Sequence, residues 1–136
     1  MIITRETDYA LRILRRLSDS TKCTISSICA KDAVPKQFAY KIIGKLSKAG
    51  VVENIRGNGG GCVLVADLKN MSLLDLLRIM DEDWQVNVCT GGAYRCSWEE
   101  ECSEKCMIRP SLAAIQKSIE EKLSEPSIYF LIKGEK

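Results

Sequence analysis

The chain has 136 residues, 46% of them apolar and 28% charged, with a net charge of +2, seven cysteines and no histidine. That length holds one core plus an appended element, and the absence of histidine excludes Cys/His zinc fingers, serine–histidine triads and histidine general bases. Charge is divided unevenly: residues 1–70 carry 12 Lys/Arg against 6 Asp/Glu, and residues 71–136 carry 8 against 12, so the first half is the part suited to a polyanion. No apolar run approaches a membrane span and the N-terminus has no signal-peptide core, so a cytoplasmic protein with reduced thiols is expected.

In chain order, Tyr9, Ala10, Ile13, Leu14 and Leu17 recur at helical spacing and predict a first helix from about Arg5 to Ser18. Thr24 is the expected N-cap of a short second helix over about 25–31, with Ile25, Ile28 and Cys29 inward. A turn at 32–34 leads to Pro35, placed to begin a third helix whose buried stripe is Phe38, Ala39, Ile42, Ile43 and Leu46. Its other face reads Lys36, Gln37, Tyr40, Lys41 and Gly44. Such a face suits bases and phosphates in a major groove, and equally a solvated lysine-rich surface. Next come a strand over 51–55, a glycine-rich turn Arg56-Gly57-Asn58-Gly59-Gly60-Gly61, and a return strand over 62–66. Three helices followed by a hairpin are the order of a winged helix-turn-helix, which favours the nucleic-acid reading of the third helix. Ser72 and Asp75 form a capping box for a fourth helix with Leu73, Leu76, Leu77 and Met80 as its stripe.

Between Cys89 and Cys106 lie four of the seven cysteines, at Cys89, Cys96, Cys102 and Cys106. The intervening glycines, serine and acidic run predict an irregular loop able to bring thiolates to one point. Thiolate clusters select zinc, copper(I) or iron–sulfur centres; disulfides and unrelated free thiols are the alternatives. A long helix over about 107–124 carries Ile108, Leu112, Ile115, Ile119 and Leu123 along one side, as a dimerisation element would. Pro126 stops it, and 128–132 reads as an apolar tail able to cap the dimer. The expected architecture is therefore mainly α with a small β-hairpin: a winged helix-turn-helix domain over 1–70, then a fourth helix, the cysteine loop (89–106) and the dimerisation helix over 71–136. No catalytic constellation is present, so an enzyme is not expected.

The opening Thr4-Arg5-Glu6-Thr7-Asp8-Tyr9-Ala10-Leu11-Arg12, the segment Leu46-Ser47-Lys48-Ala49-Gly50-Val51-Val52 before Arg56-Gly57 and the triple glycine, and the spaced cysteines resemble the Rrf2 family of bacterial winged-helix regulators. That family includes the iron–sulfur regulators IscR and NsrR. The resemblance implies a homodimer on double-stranded operator DNA, with Lys36, Gln37 and Tyr40 at bases and Lys41 beside them. Arg56, Gly57 and Asn58 would serve the wing, and Thr4 or Arg5 would touch phosphates. It further implies an iron–sulfur cluster on Cys89, Cys96 and Cys102 that senses redox, nitric oxide or iron status. The histidine that IscR-like members use as fourth ligand corresponds here to Lys105, which leaves Cys106, or Asp8 from the other subunit as in NsrR-like members. Four thiolates favour a 4Fe–4S over a 2Fe–2S centre. Cys62 stands where family members carry an aromatic residue and reads as packing; a structural zinc site or a metal-free thiol switch are the alternatives to a cluster.

Overall fold

The computed structural model describes residues 3–80, 84–102 and 105–134. Helix α1 (Arg5–Ser18) is capped by Thr4, whose hydroxyl accepts the Thr7 amide at 3.3 Å, and buries Tyr9, Ala10, Ile13, Leu14 and Leu17, the expected stripe. Thr24 caps α2 (Ile25–Asp32) in the same way at 3.1 Å. Ala33 then adopts the left-handed conformation at φ 52° and turns the chain into α3 (Lys36–Lys48). Pro35 is the N-cap of α3 and Lys36 its first residue, one position later than predicted. Ala39, Ile42, Ile43 and Leu46 are buried, while Phe38 is half-buried with its ring 5.4 Å from that of Tyr9.

Strands β1 (Val52–Ile55) and β2 (Gly61–Leu64) form an antiparallel hairpin with Val52 opposite Leu64 and Ile55 opposite Gly61. Cys23, ahead of α2, exchanges both backbone hydrogen bonds with Cys62 and lies along β2 like a fragment of a third strand. Helix α4 (Leu73–Met80) starts from the expected capping box: Ser72 Oγ accepts the Asp75 amide at 3.1 Å and Asp75 accepts the Ser72 amide at 2.9 Å. Its Leu76 and Met80 enter the same core as α1–α3.

The cysteine loop is more regular than expected, with a 3-10 turn at Val88–Thr90 and a short helix α5 (Ser97–Glu101). Helix α6 (Ile108–Ser124) packs beside α4 and accepts the Val86 amide on Gln116 Oε1 at 2.7 Å. The apolar tail expected to cap a dimer is a helix, α7 (Ile128–Lys133), and it packs into its own core. Ile128 is fully buried, its amide donates to the Met71 carbonyl at 2.7 Å, and the Tyr129 amide donates to Leu68 at 3.0 Å. Five consecutive apolar or aromatic residues after Ser127, itself an N-cap, explain the helix.

Two ion-pair groups fix α3. Asp32, with a side chain only 1% exposed, accepts Arg16 through both oxygens at 2.8 and 3.1 Å and has Arg15 at 3.5 Å. Glu6 of α1 stands 2.8 Å from Lys41 and 2.7 Å from Lys45, both on α3, and Lys45 also donates to the Met80 carbonyl at the end of α4. Burial by itself would raise the Glu6 carboxyl, but the two lysines together hold it below its ordinary value.

Replacing Asp32 with Ala removes charge-assisted bonds from a buried site and should lower the melting temperature by roughly 5–10 °C in a circular-dichroism melt; an unchanged melt would mean that the arginines contribute nothing there. Because Glu6 titrates lower when folded than unfolded, its contribution is complete above its unfolded value and is lost as pH falls through the folded one. The stability gap between the wild type and Glu6→Gln, measured by urea denaturation, should therefore shrink as pH falls below about 4. A gap that stays constant down to pH 2.5 would rule out the Glu6 ion pairs as its source.

Candidate nucleic-acid interface and cysteine loop

The helical period that buries Ala39, Ile42, Ile43 and Leu46 turns Lys36, Gln37, Tyr40, Lys41 and Gly44 outward together, and all five are exposed. Tyr40 is 55% exposed, and open space lies over the missing side chain of Gly44, so none of the described residues covers this face. Lys41 leans toward Glu6, whereas Lys36, Gln37 and Tyr40 project freely from the first turns of α3. At the hairpin tip Arg56, Gly57 and Asn58 are exposed. Gly57, at φ 97°, takes a backbone conformation that a side chain would strain. A Cβ on Gly60 would lie 2.3 Å from the Ile55 carbonyl, so the tight turn requires glycine there as well. At the N-terminus of α1, Arg5 is exposed while Thr4 is half-buried in its capping role.

Contacts made by Lys22, Glu6 and Lys45, none of them foreseen from the sequence, support this face. Lys22 donates to the Gly59 carbonyl and props the hairpin tip from the α1–α2 connection. Glu6 and Lys45 hold the inner flank of α3. The only sequence signal for the Glu6 contact is the i,i+4 pair Lys41 and Lys45; nothing local announces the contact of Lys22, which spans 37 residues.

The four loop cysteines occupy the ends of short elements: Cys89 in the 3-10 turn, Cys96 and Cys102 as the two caps of α5, and Cys106 just before α6. All are half-buried and none is in a disulfide. Among the described residues, no three His, Cys, Asp or Glu side chains converge as a metal centre requires. As a donor set they suit a thiophilic metal or an iron–sulfur cluster, being free soft ligands, accessible and on one connected segment; ligation would draw them together. Arg109 pairs with Glu99 at 3.3 Å and ties α5 to α6. Asp8, the alternative fourth ligand, pairs with Arg12 at 2.9 Å beside a hollow lined by Arg15, Leu131 and Ile132. Ligation from Asp8 would first have to break that pair.

The family described as Rrf2, iron-dependent transcriptional regulator, matches residues 3–134. The chain is 29% identical to the transcriptional regulator NsrR of Oceanobacillus iheyensis, over 94% of this chain and 90% of that one. Its fold is that of CymR, the global cysteine regulator of Bacillus subtilis (TM-score 0.72, 19% identity, 98% of both chains), and of T. potens IscR (TM-score 0.69, 19% identity, 96% of this chain and 85% of that one). With a winged-helix fold, an uncovered basic face and a family match along nearly its whole length, the chain belongs to the Rrf2 family, whose members are DNA-binding transcriptional regulators and not enzymes.

Proposed function

We propose that this protein is a cytoplasmic, homodimeric regulator that binds operator DNA through residues 1–70 and senses redox, nitric oxide or iron status through residues 71–136. The observation that carries the DNA half is the uncovered face of α3, continuous in sequence with a glycine-built wing. Lys36, Gln37 and Tyr40 enter the major groove, Lys41 flanks them, and Arg56, Gly57 and Asn58 meet the backbone or minor groove. The dimer seam is α6: among its described residues none is buried, with Ile108 69% and Ile115 50% exposed, and Ala114, Ile115, Ile119 and Leu123 line an open apolar groove. A second copy supplies the matching stripe.

Cys89, Cys96 and Cys102 hold an iron–sulfur cluster, with Cys106 completing a 4Fe–4S set and Asp8 of the second copy the alternative. The cluster, when bound, supplies a centre that reacts with oxidants and nitric oxide. The chain's own residues relate that loop to DNA: it follows α4, whose terminal carbonyl at Met80 receives Lys45 of the recognition helix, and it precedes the α6 seam. A shift of the loop therefore bears on α3 from one side and on the spacing of the two half-site readers from the other.

Anaerobic purification with an absorption spectrum and assays of iron, sulfide and zinc per chain tests the sensing half. Equal iron and sulfide are expected. One zinc in a colourless protein would instead indicate a structural site, and a metal-free protein after attempted cluster reconstitution would leave a thiol switch. The wing is tested separately: Arg56→Ala should weaken operator binding about tenfold and lower the salt slope by about one in a titration series, and unchanged affinity at moderate salt would remove Arg56 from the interface.

A further inference from the structure

Beneath the wing lies a second thiol pair, separate from the cysteine loop. Cys23 and Cys62 face each other across an antiparallel bridge and exchange both backbone bonds, the Cys23 amide to the Cys62 carbonyl at 3.0 Å and the Cys62 amide to the Cys23 carbonyl at 2.7 Å. A pair bonded in this way has its Cα atoms about 5.5 Å apart, inside the range a disulfide spans. Directly opposed residues also share one face of the ladder, so the two thiols emerge on the same side. Both are buried, Cys23 at 8% exposure and Cys62 at 1%. The Cys62 thiol donates to Asn54 Oδ1 at 3.0 Å. Burial, and after it Cys23, push the Cys62 thiol above its ordinary range. Gly61 lets the strands meet, since a Cβ there would lie 2.8 Å from the Cys23 carbonyl.

We infer that Cys23 and Cys62 form an oxidisable dithiol that latches the wing to the α1–α2 connection. The oxidant class is a hydroperoxide. The Cys23 thiolate, from the more exposed of the two residues, attacks the peroxide O–O bond and becomes a sulfenic acid, releasing water from hydrogen peroxide. The Cys62 thiol then attacks that sulfur, the S–S bond forms, the S–O bond breaks and a second water leaves. Two thiols and one hydrogen peroxide thus give one disulfide and two waters. Opposed Cβ atoms in a hydrogen-bonded pair sit wider than a disulfide allows, so closure draws β2 toward residue 23. The Lys22 contact to Gly59 carries the hairpin tip with it. The consequence for DNA rests on the wing reading above: a displaced wing lowers operator affinity.

The test uses the full chain. After hydrogen peroxide and alkylation of the remaining thiols, tryptic mapping should yield a cross-link between the Cys23–Lys31 and Gly57–Lys69 peptides. Fragmentation must place the bond on Cys23, because Cys29 shares the first peptide. Cross-links confined to Cys89, Cys96, Cys102 and Cys106, or an over-oxidised Cys23 beside a free Cys62, would overturn the dithiol. For the wing, operator affinity of the peroxide-treated protein should fall at least tenfold further in the wild type than in Cys23→Ala or Cys62→Val. Two variants are used so that a folding defect in one does not decide the matter. A cross-link with equal losses in all three proteins would retain the disulfide and overturn its action through the wing, whereas a cross-link with no effect of Arg56→Ala on DNA would place the failure in the wing reading itself.

Discussion

The orientation of α3, the proposed recognition helix, hangs on a carboxylate that the sequence gives no reason to bury. Asp32 ends α2, lies almost wholly inside, and is held by the forked guanidinium of Arg16 with Arg15 alongside. A charge in that position is tolerated only because it is paired and hydrogen-bonded. The pairing ties the end of α2 to the last turn and a half of α1. The left-handed Ala33 follows at once, and the direction of α3 is set within the next two residues. The apolar stripes supply the driving force for packing, but they leave the helices free to slide; a bidentate pair between two of them does not.

A second constraint is the small size of the core. With α1–α3 alone, the interior would end at the hairpin. The chain extends it by bringing α4 and Ile128 of α7 into the same cluster, so the segment on the far side of α6 closes on residues near the start of the chain. Helix α6 packs against α4 through its C-terminal half, where Arg78 pairs with Glu120, and is followed by an anchored helix, while its apolar side is left outward. A helix held in this way presents its stripe in a defined direction, as a specific seam requires.

Much of this was legible in the sequence because the signals are local and periodic. The stripe of α1, the Thr24 cap, the Ser72–Asp75 box and the glycine turn each depend on residues within a few positions of one another, and each appears in place. The misreadings have the opposite character. The segment 128–132 reads as a cap for the dimer rather than part of its own core because its partners, Leu68 and Met71, are some sixty residues away. Asp32 was placed in a turn because nothing beside it announces Arg16. The cysteine loop was expected to be irregular, yet Asn87 and Cys96 start short helical turns within it. The same spacing argument predicted one thiolate focus and was silent on the cysteines at 23 and 62, whose opposition arises only when the hairpin meets the α1–α2 connection.

The clamp of Glu6 on Lys41 and Lys45 has a consequence for selectivity. Of the four lysines on α3, two have their charge partly answered from within the protein before any phosphate approaches. Sequence-independent attraction to DNA grows with each lysine or arginine free to neutralise a phosphate and release its counterion. By pairing with two of the lysines, Glu6 of α1 lowers the charge that α3 offers to arbitrary duplex, and on the proposed interface discrimination is then left to Lys36, Gln37 and Tyr40. On that proposed interface the searching protein is less sticky than its lysine content implies, and a larger share of its affinity rests on the groups assigned to the bases.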